Sequence, residues 1–134
     1  MITVKSAYTG SLRTKATHVK SGDAFITDAP LDNNGKGETV SPTDTVAAAL
    51  GSCMMTVMAI AGEKNGVDMK GMHLETTKIM GANPRRISEL KIDFYWDNCQ
   101  ASERDRDWLK NVGLNCPVAK SLSSDLHQNI TFHF

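Results

Sequence analysis

The sequence has no surplus of either charge. Fifteen basic and fifteen acidic side chains cancel, which removes the electrostatic footprint of a nucleic-acid or anionic-membrane binder. Cysteine is scarce too, at three residues, too few for the disulfide framework of a small secreted domain. The start, Met1-Ile2-Thr3-Val4-Lys5, lacks the apolar run of a secretory signal. A reducing compartment, the cytoplasm by default, is therefore expected. Metal chemistry is disfavoured as well. The cysteines and the four histidines His18, His73, His127 and His133 do not fall at ligand spacing. Gly35 and Gly37 lack the spacing and the closing Lys-Ser/Thr of a phosphate loop. No internal repeat or low-complexity segment is present, and 134 residues suit a single domain spanning 1–134.

Against these absences stands one long apolar run. Val46 to Gly62 carries no charged residue. Ser41 can cap the free N–H groups ahead of it, Pro42 fits the first helical position, and Asp44 completes a capping box. Glu63-Lys64-Asn65 turn polar, and Gly66 offers the left-handed residue that closes helices. The run falls short of the ~20 apolar residues a bilayer needs, so it predicts a core helix wrapped on all sides, with no membrane partner. Cys53 stands near its middle.

The flanking segments read as strands and short helices. Ile2–Tyr8 and Leu12–Val19 form a hairpin about Tyr8-Thr9-Gly10-Ser11, and Ala24–Thr27 adds a short strand. Residues 31–40 form an ordered loop feeding the helix. Val67–Met80 and Ile87–Trp96 alternate as two long antiparallel strands about Gly81-Ala82-Asn83-Pro84. Arg85-Arg86 is a solvated strand entry. Ser102 caps a surface helix with Trp108, Leu109 and Val112 on one side, Asn115 and Pro117 open a third short helix, and Ile130–Phe134 is a closing strand. This order is not the strict alternation of a parallel α/β fold. It predicts α+β, with antiparallel sheets packed on the central helix.

Two thiols invite chemistry. Cys116, near a helix start, gains from the helix dipole and is the easier of the two to ionise on that ground. Cys53, in an apolar helix, needs a nearby cation to become a thiolate. A lone buried cysteine is otherwise a small core hydrophobe, as Cys99 is expected to be.

The run Ser41-Pro42-Thr43-Asp44-Thr45-Val46-Ala47-Ala48-Ala49-Leu50-Gly51-Ser52-Cys53, with Asn115-Cys116-Pro117-Val118 later, resembles the OsmC/Ohr family of osmotically inducible and organic-hydroperoxide-resistance proteins. The order of elements matches that family over nearly the whole chain, within its OsmC-like branch. The resemblance implies an intertwined homodimer that acts as a thiol peroxidase on organic hydroperoxides. It needs no cofactor and is recycled by a dithiol reductant of the lipoyl type or another. Carried over, Cys53 corresponds to the peroxidatic cysteine, Cys116 to the resolving one, and Arg13 to the activating arginine. The family's glutamate ten residues before the peroxidatic cysteine is Thr43 here, so Asp44 or Glu38 is expected to partner Arg13. An apolar pocket lined by Leu50, Met54, Met55 and Val57 would favour alkyl or lipid peroxides, although the methionines also suit plain core filling. The alternative is a non-catalytic OsmC-like dimer that binds a small apolar ligand or uses the cysteine pair as a redox switch.

Overall fold

The computed structural model describes all 134 residues and divides them into two compact units, residues 1–46 and 47–134. The α+β class predicted from the element order is observed, with two three-stranded sheets.

In the first unit, β1 (Val4–Gly10), β2 (Arg13–His18) and β3 (Ala24–Asp28) form an antiparallel sheet in that order. The β1–β2 turn is tighter than predicted. Ser11 and Leu12 form a two-residue loop with positive φ at both positions (54° and 62°), the conformation that matches strand twist in hairpins. A register shift between Tyr8 and Gly10 precedes it. Together these set Arg13 as the first residue of β2, directly opposite Asp28 at the end of β3. The chain then makes a single 3-10 turn at Leu31–Asn33 and returns, so that Asp28 N–H donates to Val40 O at 2.9 Å and Gly37 N–H to Ala29 O at 3.2 Å. Gly35 is obligatory in this closed loop: a Cβ there would lie 1.6 Å from the Ala29 carbonyl oxygen.

The long helix α1 (Pro42–Lys64) begins as its caps predict. Asp44 N–H donates to Ser41 Oγ at 3.1 Å, and Ser41 N–H donates to Asp44 Oδ2 at 2.8 Å, a reciprocal capping box. Gly66 closes it at φ 71°. The helix is longer than its uncharged run, and by length and composition alone it could cross a bilayer. Its buried residues Ala47, Leu50, Gly51, Met54, Met58 and Gly62 fall on one face, however, and use it as a core helix. Within this chain α1 is buried on one side and not all round. Ala48, Ala49, Ser52, Thr56 and Ile60 remain exposed.

That buried face belongs to the second unit. There β4 (Met72–Gly81), β5 (Arg86–Trp96) and β6 (His127–Phe132) form the second sheet, with β5 central. Val67–Gly71, predicted as strand, is a loop before β4. Period-two alternation puts Leu90, Ile92, Phe94 and Trp96 of β5 on the inner face, where they share one hydrophobic cluster with Leu50, Met54 and Met58 of α1. Trp96 Nε1 donates to Lys70 O at 3.1 Å, so its polar edge is satisfied. The sheet is not wholly antiparallel: β6 runs parallel to β5. A parallel neighbour requires a crossover, commonly helical, and α2 (Glu103–Leu114) with α3 (Pro117–Ser121) provides it. Ser102 caps α2 as predicted, but Leu109 and Gly113 are its buried residues, while Trp108 lies outward at 37% exposure.

Candidate functional site

Two clusters contain the chemistry-bearing side chains, one in each unit. The second unit holds the thiols. Cys53 lies beside the buried face of α1 and is half-buried, whereas Cys116 is 1% exposed. The two are 63 positions apart in sequence, yet they belong to one hydrophobic cluster, and Cys53 is near enough to act on the ionisation of Cys116. No disulfide joins them, and Cys99 is free as well, half-buried in the β5–α2 loop.

Cys116 owes its place to α3. It is the N-cap, with Pro117 in the first helical position, and its sulfur accepts the Ala119 N–H at 3.3 Å. Asn115, predicted for that role, instead ends α2. Ala119 O in turn accepts from Gln128 Nε2 of β6 at 3.0 Å, so the short helix is tied to the last strand. The position at a helix start does not lower the Cys116 pKa. Burial, foremost, pushes its pKa up, and the hydrogen bond and charge of Cys53 push it further, against the opposing Ala119 N–H. In so short a helix the dipole is weak, and desolvation outweighs it.

Of the predicted pocket residues, Leu50 and Met54 are completely buried in the core cluster, and Met55 and Val57 are half-buried. Core filling accounts for the first two, since α1 turns them toward β5. Only Met55 and Val57 retain the exposure needed to line a substrate site.

The first unit holds the cation. Arg13 Nη2 donates to Glu38 Oε2 at 2.8 Å and to Asp28 Oδ2 at 3.4 Å. The Glu38 hydrogen bond, first, and the charges of both acids together hold the guanidinium pKa above its usual value, against the opposing effect of burial. Both contacts run through one nitrogen, so Nε and Nη1 are left for another acceptor. Between the two candidate partners, the structure pairs Arg13 with Glu38 and employs Asp44 in the capping box. Asp28 escaped the sequence reading. Its available signal was register: in a three-stranded meander with the β1–β2 turn at residues 11–12, Arg13 at the start of β2 faces the end of β3. Thr43 hydroxyl lies 3.0 Å from Ser41 Oγ and belongs to the helix start.

Comparison with known proteins places these residues in context. The model of a family described as OsmC-like protein matches residues 35–131. The crystal structure of a Psychrobacter arcticus 273-4 protein assigned to osmotic stress induction and the detoxification response is 44% identical. It aligns over 99% of this chain and 96% of its own with a TM-score of 0.94. More distant structures share the fold. An organic hydroperoxide resistance protein OsmC from Legionella pneumophila is 11% identical, with 100% and 98% of the two chains covered and a TM-score of 0.74. OhrB of Bacillus subtilis, also an organic hydroperoxide resistance protein, is 15% identical with 98% of each chain covered and a TM-score of 0.66. No curated protein matches the sequence.

Proposed function

Because the chain belongs to the OsmC-like protein family, we propose that it is a cysteine-based peroxidase that reduces organic hydroperoxides. Cys53 is the nucleophile and Cys116 the resolving thiol. The observation that carries this reading is the pair itself: a half-buried thiol and a fully buried one brought into the same cluster.

The Cys53 thiolate attacks the hydroxyl-bearing oxygen of the hydroperoxide. The O–O bond breaks, Cys53 becomes a sulfenic acid, and the alkoxide takes a proton and leaves as the alcohol. Before this step the negative charge on Cys53 holds the Cys116 proton in place. Afterwards that charge is gone, so Cys116 ionises more readily at the moment its nucleophilicity is needed. Its sulfur then attacks the sulfenic sulfur, water leaves, and a Cys53–Cys116 disulfide forms. A dithiol reductant restores both thiols and is itself oxidised to a cyclic disulfide. The reaction calls on no cofactor.

Arg13 is assigned to the thiolate and to the peroxide oxygens, with Glu38 as its acidic partner. A guanidinium with two free N–H-bearing nitrogens suits both acceptors. Met55 and Val57 favour an alkyl substituent on the peroxide.

A homodimer is part of the proposal. In the first sheet Val4, Tyr8, Phe25 and Ile26 are exposed, as is the Ala48–Ile60 face of α1, and apolar surface of this kind suits an interface between two copies. Free thiols in such a pair suit the reducing cytoplasm.

The test is to treat reduced protein with cumene hydroperoxide and a dithiol while following peroxide loss and the mass of the Cys53–Cys116 peptides. A peroxide-dependent disulfide with turnover, abolished in Cys53→Ser, is expected. Turnover that survives Cys53→Ser overturns the assignment. A disulfide that forms without turnover would make the pair a redox switch instead.

A further inference from the structure

The two acids on Arg13 are not equivalent. Glu38 lies on the loop with its side chain 57% exposed, where water and salt weaken an ion pair. Asp28 is 1% exposed and stands on β3 directly opposite Arg13 in register. Its Oδ2 accepts twice, from Arg13 Nη2 at 3.4 Å and from the Glu38 N–H at 3.0 Å. One oxygen thus fixes both the guanidinium and the main chain of the residue that carries the second carboxylate. The other oxygen, Oδ1, is buried without a hydrogen-bond partner. Such an atom costs stability, and folded proteins retain few of them. A clip for the Glu38 N–H alone would need no charge, since a neutral amide or hydroxyl oxygen accepts as well. What the buried charge adds is its hold on Arg13.

We propose that Asp28 is the positioning residue of Arg13, directing the guanidinium both by its own contact and by anchoring Glu38. Loss of Asp28 loosens two contacts, whereas loss of the Glu38 carboxylate removes one. The effect on peroxide reduction rests on the peroxidase reading above, but the hold on Arg13 does not.

The test compares the full-length protein with Asp28→Asn and Glu38→Gln. Asparagine keeps the size and an acceptor for the Glu38 N–H while removing the charge. The first readout is exchange of the Arg13 guanidinium N–H protons with water by NMR, with the signals assigned through Arg13→Lys. Exchange should quicken about tenfold in Asp28→Asn and only about twofold in Glu38→Gln, as expected for a buried pair against an exposed one. Asp28→Glu, which restores the charge, should recover part of the protection. The second readout is the rate constant for Cys53 oxidation by cumene hydroperoxide, which should fall in the same order. If Asp28→Asn does not fold, Glu38→Gln in about 1 M salt decides alone: an exposed contact is screened there, so persisting Arg13 protection upholds the proposal. Free-arginine exchange under that condition, or an Asp28→Asn effect no larger than that of Glu38→Gln, overturns it. A wild-type protein inert to hydroperoxide would remove the peroxidase reading and leave the guanidinium readout to decide the role of Asp28.

Discussion

Cys116 closes the start of α3 with its own sulfur, accepting the Ala119 N–H at 3.3 Å, while Cys53 acts on the ionisation of the same sulfur. One atom therefore serves as a structural cap and as a reactant in the proposed cycle. The two duties separate by substitution. Cys116→Ala removes the cap and leaves a small void at a site that is 1% exposed, and it should cost about 1–2 kcal/mol. Cys116→Ser keeps an oxygen acceptor suited to an N-cap and should recover about half of that loss. Urea unfolding under reducing conditions measures the difference, and equal stability of the two variants would count against the cap.

The unequal exposure of the two thiols sets their order of modification. With iodoacetamide near neutral pH, Cys53 should be alkylated about tenfold faster than Cys116, because the latter is both buried and held protonated by its surroundings. Peptide mass spectrometry over a time course reads both rates in one sample. In Cys53→Ser, Cys116 loses the neighbouring charge that raises its pKa, but burial remains and keeps it slow.

Gly35 tests the loop that carries Glu38. With the Ala29 carbonyl 1.6 Å from where a Cβ would stand, Gly35→Ala cannot be absorbed by a side-chain shift. The main chain has to move, at a cost of about 1–3 kcal/mol. The displacement should loosen the Gly37–Ala29 and Glu38–Asp28 hydrogen bonds, so Arg13 exchange should rise with the fall in thermal midpoint. A variant with normal stability and normal Arg13 protection would show that the loop closes in another way.

On the outer face of the second sheet, His133 Nε2 lies 2.8 Å from Asp93 Oδ1. The His133 hydrogen bond, first, and then Lys91 hold the Asp93 carboxyl below its ordinary value of 3.8. A depressed carboxyl stabilises the fold above its unfolded-chain value and loses that contribution as pH falls through the folded value. Stability should therefore drop as the pH is taken from about 4 downward, and Asp93→Asn should flatten that acid limb by lowering stability at neutral pH while leaving the most acid region little changed. Urea midpoints across the acid range provide the comparison.

How much of this was legible depended on the range of the interaction involved. The start of α1 could be read from Ser41, Pro42 and Asp44 because capping involves neighbours in the chain. Gly66 marked its end for the same reason. The direction of β6 could not be read, since Ile130 and Phe132 alternate alike in a parallel or an antiparallel partner. Trp108 looked like core on helical spacing, but the adjacent Leu109 and Gly113 face inward, and a rotation of one position moves the buried stripe. Asp44 beside the thiol motif and Glu38 on the loop are the acids that the sequence offers Arg13. Asp28 required knowing which residues of β2 and β3 stand opposite each other. Cys116 was judged by its place at a helix start, and its burial, which only the packed core reveals, reverses that judgement.

The parallel seating of β6 also bears on how the chain comes to be made. Cys53 is synthesised 63 residues before Cys116, which at ribosomal speeds is several seconds. The partner thiol comes into place through α3, and α3 is tied to β6 by Gln128, so pairing awaits β6. Contacts so distant in sequence form late, after the loop between them has closed. During synthesis Cys53 therefore waits for Cys116, and the two thiols come together as β6 docks. Proximity of the two sulfurs thus reports that the second unit has finished folding.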